Sequence, residues 1–222
     1  MTQIVSFTFN AFQENTYVVY DETKDCCIID PGCYEQNEKD ELVKFIEDQK
    51  LNPVLLLNTH CHIDHVFGNR FISQRYKLPL HIHEIDRVVL DSYRQVCDMY
   101  GFGYEPQPEP QADLIEGRKI SFGNTEFEIL FTPGHSPGSV CFLNREEKFV
   151  VSGDVLFYDS IGRHDLPGGN LETLMNSIFS QLMILEDEVT VYSGHGPKTT
   201  IGRERNKNPF LLAWEKGDRD WI

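Results

Sequence analysis

No apolar run in the 222 residues approaches the roughly 20 that a membrane-spanning helix requires. Basic residues are scarce: 20 lysines and arginines stand against 35 aspartates and glutamates, a formal charge of −15. A chain this acidic lacks the electrostatic footprint of a general nucleic-acid binder, and an anionic membrane surface repels it. An anionic small molecule is not excluded, because exposed charges beyond about 8 Å are screened at physiological salt. Met1 to Ser6 carry no basic cluster and lead into no long apolar core, so no secretory leader is expected. The 6 cysteines contain no Cys-x-x-Cys pair, and Cys26 and Cys27 are adjacent. That pattern fits reduced thiols in a cytoplasmic protein better than a disulfide scaffold. No short repeat, low-complexity tract or composition break divides the chain.

What is present is globular. Hydrophobic residues make up 40% and charged residues 25%, and the length suits one or two domains. A chain this long should fold to a surface of roughly 10,400 Å², burying about 72% of what the unfolded chain exposes. Strands are expected over 5–9, 16–20, 26–29, 53–57, 78–83, 120–122, 126–131, 139–143, 148–151 and 189–192, from β-branched or apolar runs between polar turns. Gly123-Asn124 suits a hairpin turn. Helices are expected over 37–49, 66–76, 171–182 and 199–207, and another from Ile85 to Gly101, where Ile85, Val88, Val89, Ser92 and Val96 share one face. Pro106, Pro108 and Pro110 mark a loop. Strands interleaved with helices predict sheets covered by helices.

The densest chemistry is His60-Cys61-His62-Ile63-Asp64-His65, directly after the apolar run Val54 to Leu57. Imidazole and carboxylate are the usual nitrogen and oxygen ligands of zinc. In an extended segment His60 and His62 point the same way, so both can grip one cation. Asp64 and His65 fall where the chain turns towards a helix, so they can face a second point. Burying so many polar groups is costly unless a cation or water meets them. Three further sites repeat one plan, a strand, a glycine-rich turn and one metal-competent side chain: His135 in Thr-Pro-Gly-His-Ser, Asp154 in Ser-Gly-Asp, and His195 in Ser-Gly-His-Gly-Pro. A lone loop histidine is commonly just solvated. Four such strand ends on one edge point instead to a shared site.

The pattern Thr59-His60-x-His62-x-Asp64-His65, then His135, Asp154 and His195, resembles the metallo-β-lactamase-fold hydrolases. Asp30-Pro31-Gly32, residues 133–139, residues 162–169 and Gly194-His195-Gly196-Pro197 are similar to the short glyoxalase II-like branch. The resemblance implies an α/β fold, a four-layer αβ/βα sandwich with the site at one edge between two sheets. It implies two divalent cations per chain: His60, His62 and His135 on the first, Asp64, His65 and His195 on the second, and Asp154 bridging. Zinc is the metal expected, and the same donors accept iron or manganese. The chemistry implied is attack on a small-molecule thioester by hydroxide shared between two metals about 3.5–4 Å apart, with Asp64 and Asp154 as the catalytic carboxylates. The alternatives are a mononuclear iron persulfide dioxygenase and, less in keeping with the acidic charge, a phosphodiesterase or nuclease of the same fold.

Several neighbouring residues stay open. Asp30 either orients a ligand imidazole through its remote N–H or caps the Pro31-Gly32 turn. Arg163, His164 and Asp165 lie in a glycine-flanked loop at the rim. There Arg163 is available to a substrate carboxylate, and Asp165 is read as loop structure. His81 and His83 share a strand face with no Asp-His following, and read as partly exposed strand residues. Cys61 and the aromatics Phe45, Phe67, Phe71, Tyr93 and Tyr100 read as packing. Residues 1–222 are expected to form one metallo-β-lactamase-fold domain, without the C-terminal helical glutathione-binding domain of two-domain glyoxalase II. That leaves recognition of a glutathione conjugate in question and assigns substrate choice to residues 85–113. No nucleic-acid or membrane partner is expected, and the oligomeric state is open.

Overall fold

The computed structural model describes residues 1–218, so the last four residues of the domain expected over 1–222 lie outside the described residues. The chain opens with three antiparallel strands, β1 (Gln3–Phe9), β2 (Glu14–Tyr20) and β3 (Asp25–Ile29). Helix α1 (Gln36–Asp48) starts where Glu38 accepts the backbone N–H groups of Tyr34 and Glu35, and it buries Leu42 and Ile46. It returns the chain to β4 (Asn52–Leu57), parallel to β3. Two short helices follow, α2 (Ile63–Val66) and α3 (Asn69–Tyr76), then β5 (Leu80–Ile82). Next come a 3₁₀ turn over Glu84–Asp86, α4 (Arg87–Asp91), α5 (Tyr93–Tyr100) and β6 (Pro110–Ala112), which closes a sheet of order β1-β2-β3-β4-β5-β6.

The second sheet begins with β7 (Lys119–Phe122), β8 (Thr125–Phe131), β9 (Val140–Asn144) and β10 (Phe149–Gly153), joined as an antiparallel meander. A small hairpin, β11 (Leu156–Phe157) and β12 (Ser160–Ile161), leads to α6 (Leu171–Ser177) and a π-helical turn over Ile178–Leu182. The sheet then gains β13 (Thr190–Ser193), parallel to β10, and β14 (Thr199–Thr200), before α7 (Ile201–Lys207) and α8 (Pro209–Glu215).

Side chains alternate across each strand, which sorts the core into three apolar layers. Tyr17, Val19, Cys27, Ile29 and Leu57 of the first sheet meet Phe127, Ile129, Val140, Phe142 and Val151 of the second. The opposite face of the first sheet, through Val18, Ile28 and Leu56, packs on Leu42, Ile46 and Ile72 of the helices. The opposite face of the second, through Leu143, Val150 and Val191, packs on Leu174, Ile178, Ile201 and Leu211. Helices, sheet, sheet and helices form the four-layer sandwich expected. The chain exposes 10114 Å², close to the surface expected from its length. Among the described residues no helix is long and apolar enough to cross a membrane. All six cysteines are free and buried.

Three local expectations fail for physical reasons. The helix expected over 66–76 breaks at Gly68, whose N–H donates to Pro31 O at 2.7 Å, and a Cβ there would meet Cys33 Sγ at 2.5 Å. The helix from Ile85 breaks at Ser92, whose hydroxyl donates back to Val89 O at 2.7 Å. Part of the proline-rich loop forms β6, where Pro110 opens an edge strand and no N–H is missed. The helix expected over 171–182 is present throughout, its last turn over 178–182 wound as a π turn. Helix α8 was not anticipated, although Asn208 caps it by accepting from Phe210 N at 3.0 Å and Pro209 occupies its first turn.

Candidate metal centre

Strands β8 and β10 both pair antiparallel with β9, and β13 is parallel to β10, so β8, β10 and β13 end on the same edge. Each continues into one of the turns singled out in the sequence, carrying His135, Asp154 and His195. Strand β4 supplies the fourth end. Its continuation crosses to the second sheet, where Val140 N donates to Thr59 O at 2.9 Å. His60 and His62 precede α2, and Asp64 and His65 lie on its first turn. All seven predicted metal-ligating residues therefore converge.

They converge as two groups. His60, His62 and His135 offer nitrogens that lie within 4.8 Å of one another, and so do the donor atoms of Asp64, His65 and His195. In the first group His62 Nδ1 lies 2.8 Å from His135 Nε2, which lies 3.2 Å from His60 Nε2. In the second, His195 Nε2 lies 3.1 Å from Asp64 Oδ2 and His65 Nε2 lies 3.6 Å from it. Asp154 stands between the groups, with Oδ2 3.5 Å from Nε2 of both His135 and His195, and Oδ1 3.5 Å from His65 Nε2. Gly194 permits this approach: a Cβ there would meet Asp154 Oδ1 at 2.1 Å and His65 Cε1 at 2.8 Å.

The remote nitrogens of four imidazoles are also held, as ligand histidines usually are. His135 Nδ1 faces Arg163 O at 2.7 Å, His195 Nδ1 faces Phe12 O and Gln13 O at 3.1 Å each, and His60 Nδ1 faces Thr59 Oγ1 at 3.1 Å. His65 Nδ1 faces Asp30 Oδ2 at 3.1 Å. Asp30 also accepts from Thr59 N, Thr59 Oγ1 and Asn58 Nδ2 at 2.7, 2.6 and 3.1 Å, and thus braces the His65 imidazole and the loop behind it.

The electrostatics differ between the groups. Burial, reinforced by the neighbouring imidazoles, holds His60 well below the usual histidine range, and burial beside His135 brings His62 down to about 3. These two are neutral donors with free lone pairs. Burial also opposes charge on His65 and His195, but Asp64 and Asp154 outweigh it, raising His65 well above the usual range and His195 to about 9. Burial disfavours ionised Asp64 and Asp154 in turn, and the histidine charges overcome that and hold both below the usual carboxylate range. His65 Nε2 and Asp154 Oδ1 are buried without a hydrogen-bond partner. Orphaned donors of this type, in two clusters of nitrogen and carboxylate ligands, fit divalent cations.

Two buried carboxylates here gave no signal in the sequence. Asp86 accepts from Cys61 N, from Ser136 Oγ and from Gly138 N, tying the His60–His62 segment to the His135 loop. Glu14 is fully buried, accepts from Thr16 Oγ1 at 2.9 Å and places Oε1 3.9 Å from His65 Nδ1. Both lie in ordinary polar stretches, and only tertiary contact gives them a role.

A cavity of about 780 Å³ opens on the cluster. Its far wall comes from α4 and α5, through Val88, Val89, Val96 and Met99, while the proline-rich loop lines a separate hollow. Tyr100, expected in the core, is half exposed on that wall, and Tyr93 and Cys61 are buried yet border the cavity. Phe67 is buried, and Phe45 and Phe71 pack against the helix-side core as expected. Arg163 does reach the rim, but Asp165 grips its guanidinium with two contacts of 2.9 Å. Asp165 thus pairs within its own loop, as read, and holds the Nε–Nη2 edge of Arg163. His164 is turned away, its Nδ1 buried without a hydrogen-bond partner and its side chain outside the cavity lining. His81 pairs with Asp113 at 2.8 Å and His83 stacks on Phe131, both partly exposed.

Comparison with known proteins identifies the family. The family model described as Metallo-beta-lactamase superfamily matches residues 9–195. The chain is 37% identical over 210 residues to hydroxyacylglutathione hydrolase GloC of Haemophilus influenzae, covering 90% of this chain and 94% of that one. Among solved structures, TTHA1623 in a di-iron-bound form is 37% identical with a TM-score of 0.83, over 93% of this chain and all (100%) of that one. BLEG-1 B3 metallo-beta-lactamase is 33% identical with a TM-score of 0.82, over 94% of this chain and 99% of that one. The chain belongs to the metallo-beta-lactamase superfamily and is a metallo-hydrolase.

Proposed function

We propose that this metallo-hydrolase cleaves small-molecule thioesters at a dinuclear centre held by His60, His62 and His135 on one side and Asp64, His65 and His195 on the other, with Asp154 shared. The observation that carries the reading is the position of Asp154 Oδ2, 3.5 Å from a histidine of each group. Two divalent cations held there would polarise a substrate carbonyl and make water a competent nucleophile near neutral pH. Zinc suits the donor set, and the di-iron-bound relative keeps iron in contention.

The chain's own residues favour a good leaving group. Outside the cluster, the ionisable groups lining the cavity are Arg163, the Tyr93 and Tyr100 phenols and the Cys61 thiol. Burial pushes the Cys61 thiol and the Tyr93 phenol up, and the set holds no carboxylic acid or imidazole to serve as a ready proton donor. In thioester hydrolysis the water oxygen joins the carbonyl carbon, the C–S bond breaks and its electron pair leaves on sulfur. The thiolate needs no proton to depart. The name of the GloC relative, a hydroxyacylglutathione hydrolase, supports the same class. A single-domain chain working in the cytosol completes the reading.

Metal analysis paired with a thioester panel tests it. The expected result is two ions per chain and turnover of at least one thioester, S-D-lactoylglutathione among those tried. Oxygen uptake with a persulfide at one iron per chain would replace it with the dioxygenase alternative, against which the 3.1 Å approach of His195 to Asp64 already weighs.

A further inference from the structure

The cavity is asymmetric. One end holds the metal-facing set. The other is a wall of hydrocarbon from α4 and α5, on which Val88 and Met99 are 64% and 70% exposed and Tyr100 is 51% exposed. Phe12 extends the wall from the β1–β2 turn, edge-on to Tyr100 at 5.8 Å. Helix α5 explains the arrangement: it buries Tyr93 and Cys97 in the core and leaves Met99 and Tyr100 outward. Large apolar side chains left in water beside a reactive centre mark a binding surface. The charges point the same way. Among the described residues Arg163 is the one arginine or lysine lining the cavity, and Asp165 holds the Nε–Nη2 edge of its guanidinium. A glutathione moiety brings two carboxylates, which would find on this lining one guanidinium already paired with Asp165, in a chain of net charge −15.

We propose that the thioester carries a hydrocarbon group lying along the α4–α5 wall, against Val88, Val96, Met99 and Tyr100, and that the wall selects apolar thioesters over glutathione conjugates. This rests on the thioester reading above and narrows it. Either half of the thioester can supply the hydrocarbon, so the test varies each in turn. Metal-loaded protein is assayed on N-acetylcysteamine thioesters from acetyl to octanoyl, on acetyl thioesters of ethyl to hexyl thiols, and on S-D-lactoylglutathione. A fully buried methylene is worth about fourfold. The expected result is a rise in kcat/KM of at least about tenfold over four methylenes in one of the series, with S-D-lactoylglutathione below its best member. Two flat series, or S-D-lactoylglutathione tenfold better than every apolar thioester, would overturn the proposal.

Val88→Lys with Met99→Lys changes two exposed positions and spares the core. It should flatten the responsive series at least threefold, and an unaltered length dependence would remove the wall from specificity. Calorimetric binding of octanoate against acetate, and of hexanethiol against ethanethiol, needs no turnover. If the longer ligand of one pair binds at least tenfold tighter while no thioester is cleaved, the hydrolase reading fails and the apolar site stands. Equal binding in both pairs overturns the site itself.

Discussion

Asp30 Oδ2 stands 3.1 Å from His65 Nδ1, on the side of the ring away from Asp64 and Asp154. The carboxylate fixes the tautomer that leaves Nε2 free to face a cation. Asp30→Asn keeps the size and weakens that hold. Its expected effect is a 10- to 100-fold loss of metal affinity at the Asp64–His65–His195 group, with the three-histidine group still filled. Competition with a chromophoric chelator reads the two affinities. Equal loss at both groups would mean that Asp30 supports the fold rather than the ring.

Asp86 makes a parallel case for the first group. Its three acceptor contacts join the backbone beside His62 to the loop beside His135, and Asp86→Asn turns one acceptor into a donor facing a donor. Metal affinity of the His60–His62–His135 group should fall about tenfold or more. Asp21 supplies the control. It is likewise buried and accepts from Thr23 and from the Asn124–Thr125 turn, but it follows β2 at the end opposite Glu14. Asp21→Asn should cost about 1–3 kcal/mol of stability and leave two ions per chain.

The same control carries a pH signature. Burial works against ionised Asp21, and the hydrogen bonds to Thr23, Asn124 and Thr125 overcome it, so its folded pKa lies below the ordinary value of 3.8. The unfolded state then binds the proton more readily, and stability from this group is present above pH of about 4 and lost as pH falls through the lower folded value. Urea denaturation of wild type and Asp21→Asn should show a gap at pH 7 that narrows at pH 3. A gap independent of pH would contradict the assignment.

Metal uptake should also depend on pH, and differently for the two groups. His195, raised to about 9, and His65, raised well above its usual range by the same carboxylates, hold protons at neutrality in the metal-free protein. A cation must displace them, so affinity at that group drops about tenfold per pH unit for each proton released. His62, brought down to about 3, poses no such competition. Titration at pH 8 should fill both groups, and titration at pH 5.5 with the same metal concentration should fill the three-histidine group first and leave the other undersaturated. Identical profiles at both pH values would oppose this division.

Phe127 and Phe142 are fully buried between the sheets, their rings 5.9 Å apart. Phe142→Ala should destabilise the protein by about 3–5 kcal/mol. Because the two sheets whose edges carry the proposed metal ligands meet through this layer, thermal unfolding of metal-loaded protein should also release the metal in one transition. Metal lost well before the fold melts would show that the sheet interface does not hold the site.

The cluster proposed as a metal centre was legible in the sequence because each of its side chains terminates or follows a strand with strong apolar character, and strand ends are the most local of structural signals. His135, Asp154 and His195 needed only their own flanking residues to be singled out. The layered fold was legible for the same reason: strands such as Val140–Asn144 and Phe149–Gly153, buried throughout, read as continuous apolar runs. What failed to show depends on contacts distant in sequence. Glu14 and Asp86 look like ordinary turn residues until residues 51 and 50 positions onward, His65 and Ser136, close over them. The breaks at Gly68 and Ser92 come from docking and back-bonding that helical periodicity does not register. Tyr100 has a core-like spacing, yet it ends a helix whose last turn faces the cavity.

The most direct test is the metal content of active protein set beside that of Asp154→Ala. The account predicts two ions per wild-type chain and, in the variant, weakened binding at both groups together with loss of hydrolysis. One ion per chain at full activity, or a variant that keeps both ions and its turnover, would contradict it.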